Sequence, residues 1–287
     1  MRPFELYQPT SAAEAIVLLT RHGTRASLLA GGTDLLVEIK ENIRAPDVVI
    51  DAKHIPGLRD LSVSADGGLR FGALVTAREI ETSAAVKASY RGLWQAVREL
   101  GSIQVRNRAT IAGNVCRASP SADTLPPLIA DGASVSILGP AGSRTVLLED
   151  FFTGPGKTVL ATDEIVTGFA VPAPAAGTGK CYIKHGRRKA MELATVGVAV
   201  TITMDGPTCR SIRIALGAVA PTPIRTRKAE AILAGQKPDA ASIAATAAAA
   251  AAESTPISNI RGSADYRRRM VDELTRRAIL AAMEAAR

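Results

Sequence analysis

A pair of adjacent glycines interrupts an apolar stretch near the start of the chain. Residues 28–36 read LLAGGTDLL, so two leucines precede Gly31 and Gly32 and a second apolar segment follows. Glycine inside a regular element costs about 0.5–1 kcal/mol relative to alanine, so the pair needs a structural or functional reason. The pattern fits a tight turn with positive φ, and it fits a bare backbone surface that an anionic group approaches at a helix start.

The residues around this turn predict an α/β unit over residues 1–57. A capping box at Ser11 and Glu14, followed by apolar residues at helical spacing, predicts a helix over 11–22. Short strands are expected at 27–30 and 48–52, with a helix-like segment at 34–42 between them. The glycine turn therefore lies at the carboxyl end of a strand, which is where ligands bind in such units.

The pattern changes to short strands and helices over residues 58–175. A hairpin is expected at 134–148 across residues 139–142, with a last strand at 164–172, which favours an antiparallel sheet with one covered face. The segment PAPAAGTGK (172–180) is typical of a linker. Beyond it, three alternating segments and helices at 226–234, 240–252 and 264–286 predict a smaller unit. The expected fold is α+β, with domains at 1–175 and 176–287 and a three-stranded antiparallel sheet in the second.

Composition excludes several classes of protein. The net charge is +8, but the basic residues are dispersed and aromatic residues are only 3% of the chain, so we expect no nucleic-acid partner. The densest basic run, residues 267–269, is interpreted as a solvated helix face. No window is long and apolar enough to span a membrane, and the N-terminus lacks an apolar signal segment. Three widely spaced cysteines and three histidines show no metal-ligand spacing, and a reducing cytoplasm is expected.

A second glycine-containing segment carries a similar pattern. Residues 110–114 read TIAGN, and Ser119, Ser121 and Asp123 follow within a mostly apolar stretch. Polar groups near a core need partners, and these outnumber what a simple turn uses. Each glycine turn alone is more often structural. Here there are two such turns, and each has a threonine and an asparagine or aspartate beside it. Together they favour a diphosphate that is held from both sides by backbone amides.

Two other phosphate-binding motifs do not fit. A dinucleotide-binding GxGxxG is missing after the first strand. The segment GPGKT (154–158) imitates the end of a P-loop, but Phe151 stands where the first glycine is required.

Five segments together resemble one protein family. They are AGGTDLL (30–36), QVRNRATIAGNVCRASPSADTLPPL (104–128), FFTGPGKTVLATDEI (151–165), YIKHGRRKAMELATVGVAV (182–200) and NIRGSADYRRR (259–269). The chain is similar to the FAD-binding medium subunits of molybdenum hydroxylases, which include carbon monoxide dehydrogenase and the xanthine dehydrogenase group. The resemblance implies a two-lobed PCMH-type FAD-binding domain followed by a C-terminal α+β domain.

The resemblance also implies which residues bind FAD. Residues 30–35 and 110–114 would surround the pyrophosphate, Asp123 would bond a sugar or ribityl hydroxyl, Val166 would pack near the flavin, and Lys184 would approach its ring. The full implied set is Ala30, Gly31, Gly32, Thr33, Asp34, Leu35, Leu100, Thr110, Ile111, Ala112, Gly113, Asn114, Ser119, Asp123, Val166 and Lys184. Ala112 stands where many relatives have glycine, and Glu192 stands where aspartate is frequent.

The implied activity is electron transfer within a complex. Electrons would come from [2Fe-2S] clusters of a small subunit, after hydroxylation on a molybdopterin-containing large subunit, and would pass from FAD to NAD+, a quinone or oxygen. An FAD enzyme that works alone is the main alternative, and Tyr182 or His185 would be its acid/base candidates. A basic binding module without redox activity is the second alternative.

Overall fold

The computed structural model describes residues 2–286, and its helices and strands follow the predicted order closely. The helices are α1 (Ala12–His22), α2 (Leu35–Lys40), α3 (Ala77–Thr82), α4 (Ala84–Ser89), α5 (Arg91–Glu99), α6 (Ile103–Arg106), α7 (Ile111–Cys116), α8 (Leu125–Ala130), α9 (Arg227–Leu233), α10 (Ala240–Glu253) and α11 (Ala264–Ala285). The strands are β1 (Glu5–Tyr7), β2 (Ala26–Leu29), β3 (Val48–Asp51), β4 (Leu61–Val63), β5 (Leu69–Gly72), β6 (Ser134–Gly139), β7 (Gly142–Leu147), β8 (Phe152–Gly154), β9 (Lys157–Thr158), β10 (Ile165–Val171), β11 (Thr178–His185), β12 (Val196–Asp205), β13 (Thr208–Gly217) and β14 (Ile224–Arg225). The α+β class is confirmed.

The first lobe is a parallel sheet in the order β1-β3-β2. Strand β3 is buried along its whole length, as a central strand covered on both faces should be. Helix α1 begins where predicted, because the Ser11 hydroxyl accepts from the amide of Glu14 at 3.1 Å. The predicted capping box is incomplete, since the Glu14 carboxylate accepts from the amide of Thr10 at 2.8 Å and not from that of Ser11. Strand β2 leads into the glycine turn at residues 31–32, and α2 follows this turn.

The second lobe is an antiparallel sheet in the order β4-β5-β10-β6-β7. Residues of β6 alternate between buried and half-buried, which matches the predicted sheet with one covered face. The buried face joins α5, α7 and α8 in one core, whose largest members include Ile111, Leu125 and Phe151. Helix α7, which carries the second glycine segment, is therefore anchored by its apolar side.

The C-terminal unit is an antiparallel sheet in the order β11-β12-β13-β14, covered by α9 and α11, and α10 packs against these two helices. Its three long strands are those predicted, and β14 adds a two-residue fourth strand that is too short to show alternation in sequence. Helix α11 lies close against β11, since a Cβ added at Gly179 would fall against the carbonyl oxygen of Ala282.

Two detailed predictions are wrong, one about the basic run at 267–269 and one about the linker. Arg267 does not face solvent: it is 3% exposed, and its Nη1 donates to the carbonyl oxygens of Thr195 and Ala218, each at 2.9 Å. Consecutive helical residues point in different directions, so Arg268 lies on the exposed side while Arg267 faces the sheet. The predicted linker also ends early, because β11 begins at Thr178.

The two units touch beside the second glycine segment. The amide of Ala218 donates to the carbonyl oxygen of Pro120 at 2.7 Å, and the amide of Tyr182 donates to Oε1 of Gln95 at 2.8 Å. Strand β11 thus packs on α5, and the end of β13 contacts the loop before α8. As a result, side chains of the C-terminal unit reach the residues that surround Asp123.

Candidate cofactor site

The two glycine segments meet in space. A Cβ added at Gly31 would fall against the carbonyl oxygen of Arg108 and lie 3.1 Å from Cα of Ala109. Gly31 therefore has to be glycine because the backbone after β2 packs directly on the backbone before α7. Gly32 adds a left-handed turn with φ of 80°, which glycine adopts without strain. Residues 30–34 and 108–114 consequently form one surface.

Ion pairs at the edge of this surface join the two helices that follow the glycine segments. Nη1 of Arg117, just after α7, lies 2.6 Å from a carboxylate oxygen of Glu38 on α2, and its Nε lies 3.8 Å from Asp34. The arginine side chain is half exposed, so these pairs contribute little to stability. The close backbone packing at Gly31 is the stronger constraint.

The first segment presents a row of backbone amides. Within residues 2–286, none of the amides of residues 31–35 donates to a protein acceptor, and the first backbone hydrogen bond after the turn runs from the amide of Leu36 to the carbonyl oxygen of Gly32 at 3.1 Å. Unpaired amides at a turn that leads into a helix fit an anionic ligand. This arrangement fits the pyrophosphate of a dinucleotide cofactor.

The second segment is held rigidly from its buried side. The Thr110 hydroxyl accepts from the amide of Gly113 at 3.0 Å, and the amide of Ile111 donates to the carbonyl oxygen of Val75 at 3.0 Å. The amide of Ala112 has no acceptor in the described part of the chain. The methyl group of Ala112 is buried in the main core, so it does not cover the exposed Gly113.

Asn114 and Ser119 are fixed by neighbouring residues. The Thr124 hydroxyl donates to Oδ1 of Asn114 at 2.7 Å, and Thr124 is fully buried. The Ser119 hydroxyl accepts from the amide of Ser121 at 3.3 Å. The Asn114 side-chain amide nitrogen remains available as a donor, because its oxygen is the atom that Thr124 uses.

Asp123 lies at the contact between the two units. One carboxylate oxygen accepts from the hydroxyl of Tyr182 at 2.8 Å, and the other accepts from Nζ of Lys184 at 2.9 Å. Burial raises the pKa of Asp123 to about 6, although the Lys184 charge and both hydrogen bonds lower it. Each carboxylate oxygen has a second lone pair, so the group retains capacity to accept from a ligand hydroxyl.

The remaining predicted residues contribute in different ways. Leu35 and Ile111 bury their side chains in two separate apolar clusters, so each offers only its backbone to a ligand. Val166 is 5% exposed and precedes a bulge in β10, and Leu100 ends α5. The structure thus brings together the glycine segments, and separately Asp123 with Lys184, and Val166 belongs to the same apolar core as Ile111 and Ala112.

Several partners were missed by the sequence analysis. Tyr182 was considered only as an acid/base group, yet burial raises its pKa well above the usual value and its hydroxyl is committed to Asp123. Alternation along β11 places Tyr182 and Lys184 on one face, and that signal was readable. The role of Thr124 depends on a contact with Asn114 that sequence spacing does not reveal. His185, the other acid/base candidate, shares a hydrogen bond of 2.9 Å with the hydroxyl of Tyr266.

Residues 2–286 lack two further kinds of feature. They contain no group of three or more potential metal ligands. No helix among them has the length and apolar character needed to cross a membrane.

Comparison with known proteins identifies the family. Residues 2–174 match the profile of the FAD binding domain in molybdopterin dehydrogenase, and residues 181–282 match that of the CO dehydrogenase flavoprotein C-terminal domain. The carbon monoxide dehydrogenase medium chain of Hydrogenophaga pseudoflava is 37% identical over 97% of this chain and 96% of its own length. The xanthine dehydrogenase FAD-binding subunit of Escherichia coli O157:H7 is 31% identical over 98% and 96%.

Solved structures agree with these matches. Carbon monoxide dehydrogenase from Hydrogenophaga pseudoflava superimposes with a TM-score of 0.95 at 38% identity, covering 99% of each chain. Quinoline 2-oxidoreductase from Pseudomonas putida 86 gives a TM-score of 0.92 at 30% identity, covering 99% of this chain and 98% of the other. The chain belongs to the FAD-binding medium subunits of molybdenum hydroxylases, as the resemblance indicated. It is a flavoprotein subunit of an oxidoreductase, and its cofactor is FAD.

Proposed function

We propose that this chain transfers electrons from the [2Fe-2S] clusters of a partner subunit, through bound FAD, to an external acceptor such as NAD+, a quinone or oxygen. The observation that carries the proposal is the surface formed by residues 30–34 and 108–114, where a row of amides without acceptors in the described part of the chain meets a second glycine segment. Bound FAD supplies the redox chemistry, because flavins accept and release electrons one or two at a time.

The chain's own residues hold and orient this cofactor. The amides of residues 31–35, with that of Ala112, are assigned to the pyrophosphate. The free donor of Asn114 and the hydroxyl of Ser119 are assigned to neighbouring polar groups of the cofactor. Asp123 is assigned to a hydroxyl of the ribityl or sugar part, and Val166 and Leu100 to the apolar wall that excludes water from the ring.

The place of the chain in a complex is part of the proposal. Relatives are described as a medium chain, a FAD-binding subunit and a complex subunit alpha. We infer partners of two kinds, a small subunit with [2Fe-2S] clusters and a large subunit with molybdopterin. We also propose a domain boundary near residue 175, which agrees with the gap between the two family matches. A cytoplasmic location agrees with the three unpaired cysteines, because disulfides are rare in a reducing compartment.

The test is to purify the native assembly and then mix its parts. Intact-mass analysis of the assembly should find FAD, a [2Fe-2S] chain and a molybdopterin chain. In rapid mixing, a reduced [2Fe-2S] subunit should bleach the flavin absorbance of this chain, and addition of an acceptor should restore it. If this chain with FAD oxidises a substrate without any partner, or if the reduced cluster subunit leaves its flavin oxidised, the electron-transfer assignment is wrong.

A further inference from the structure

The guanidinium group of Arg106 is buried two residues before segment 108–114. Arg106 is 7% exposed, and its Nε and Nη2 donate to the two carboxylate oxygens of Glu81 at 2.9 and 3.3 Å. Its Nη1 donates to the carbonyl oxygens of Arg98 and Leu100 at 3.2 and 3.0 Å. A guanidinium group has five N–H donors, so four of them join helix α3, which carries Glu81, to the carboxyl end of α5.

Helix α3 also contacts the segment with its other end. The amide of Ala77, the first residue of α3, donates to the carbonyl oxygen of Ala109 at 2.8 Å. The carbonyl oxygen of Val75 accepts from the amide of Ile111 at 3.0 Å. Glu81 lies in the last turn of the same helix, so the ion pair and the main-chain bonds hold this stretch of chain at both ends of α3.

We propose that Arg106 is a positioning residue for FAD, which fixes segment 108–114 in the position that binds the pyrophosphate. The carbonyl oxygen of Arg108 and Cα of Ala109 are the atoms on which Gly31 packs. A shift of the chain after Arg106 would therefore also separate the two glycine segments. The inference rests on the proposed assignment of this segment to the pyrophosphate only where it concerns FAD, and the order of the segment is a property of the protein alone.

The arrangement requires an arginine because its acceptors lie on different sides of the group. A planar fork reaches a carboxylate with one edge and carbonyl oxygens with another, whereas a lysine donates from one nitrogen. Burial raises the pKa of Glu81, but hydrogen bonds from Arg106 and Arg78 lower it, and the net pKa lies below its usual value. The carboxylate is therefore charged at neutral pH, and loss of Arg106 would leave it with the partly exposed Arg78 at 3.0 Å.

Arg225 provides a matched control in the C-terminal unit. Its Nε and Nη2 each donate to the carboxylate of Glu230 at 2.8 Å. The two side chains are 16% and 8% exposed, which is close to the 9% and 12% of Arg106 and Glu81. In the described part of the chain, the polar contacts of the Arg225 side chain are with Glu149 and Glu230. Arg225→Met therefore removes a similar pair without touching either glycine segment.

The experiment compares Arg106→Met, Glu81→Gln and Arg225→Met in the full-length chain with two measurements. Hydrogen–deuterium exchange of FAD-free protein, followed by mass spectrometry, measures the protection of amides in residues 108–117. Flavin fluorescence titration measures FAD affinity. Arg106→Met should exchange these amides about tenfold faster and bind FAD about tenfold more weakly, which is the scale of a lost charged hydrogen bond.

The other two variants should differ from Arg106→Met in a defined way. Glu81→Gln should change both measurements in the same direction by about threefold, because the bonds from Arg106 to the two carbonyl oxygens remain. Arg225→Met should stay within about twofold of the original chain in both, although it also loses a buried ion pair.

The two measurements separate the possible outcomes. Weak FAD binding by Arg106→Met with normal exchange would mean that the arginine acts on the cofactor directly, and this result overturns the proposal. Rapid exchange with normal FAD affinity, or normal behaviour in both measurements, overturns it as well. Equal losses in Arg225→Met would assign the effect to general destabilisation and would also contradict the proposal.

Two further results remain decisive. If Arg106→Met does not fold, normal exchange and normal FAD affinity in Glu81→Gln would refute the proposal. Failure of the original chain to bind FAD would refute the proposed function, while the exchange comparison would still decide whether Arg106 orders the segment.

Discussion

Replacement of Gly31 by alanine should damage the cofactor site. The added Cβ would fall against the carbonyl oxygen of Arg108 and lie 3.1 Å from Cα of Ala109, and both are backbone atoms of the second glycine segment. Neither atom can rotate away, so the two segments must separate. Overpacking of this kind costs about 1–3 kcal/mol, and the same displacement moves the amides of residues 31–35 away from the cofactor.

The expected change in FAD affinity follows from that cost. If the strain is relieved by moving the two segments apart, binding must restore their contact, and a cost of about 1–3 kcal/mol corresponds to roughly a 5- to 150-fold weaker affinity. Flavin fluorescence titration measures the affinity, and thermal unfolding without FAD measures the strain. Both values should change in Gly31→Ala.

Gly154→Ala is the matched control. Its added Cβ would meet only Cδ of Lys157 at 3.9 Å, and its φ is not positive, so neither stability nor FAD affinity should change beyond about 0.5 kcal/mol. A Gly31→Ala variant with FAD affinity within about twofold of the original chain would refute the conclusion that the two glycine segments form one cofactor surface.

Three further predictions concern stability and reactivity. Arg267→Met should destabilise the fold by about 2–4 kcal/mol in urea unfolding because two buried carbonyl groups lose their donor, whereas Arg268→Gln on the exposed side should cost less than about 0.5 kcal/mol. The hydrogen bonds from Arg144 hold the pKa of Glu164 at about 2, so its stabilising effect should persist above pH 4.5 and fade as the pH falls toward 2; Glu164→Gln should flatten that part of a stability–pH curve. Burial raises the pKa of all three cysteine thiols to between about 11 and 12, so they should react slowly with a thiol reagent at pH 8 until the protein is unfolded.

Local chemistry made much of the fold predictable. The helix start at Ser11, the hairpin across residues 139–142 and the alternating strands of the C-terminal sheet each depend on neighbours in sequence, and all were found. Strand β14 was missed because two residues are too few to show the alternation of buried and exposed side chains that marks a strand. The burial of Arg267 was missed because a run of three arginines looks solvated until the position of the helix on its sheet is known.

The approach of the two glycine segments was predictable from the sequence, whereas the contacts around Asp123 were not. Two turns poor in side chains indicated where a diphosphate could be held, and their contact at Gly31 and Arg108 agrees with that expectation. The sequence gives no hint that Asp123 and Lys184, 61 positions apart, share a hydrogen bond. Such contacts arise from the docking of two units, and no local pattern encodes them.

The contact of Asp123 with Tyr182 and Lys184 has a consequence for how this chain can evolve. The aspartate belongs to the first unit, and both of its partners are supplied by the first strand of the second. A chimaera that exchanged the C-terminal unit for one without these two side chains would leave a buried carboxylate without its hydrogen-bond donors. Recombination between distant relatives should therefore be tolerated only where strand β11 and Asp123 come from the same parent.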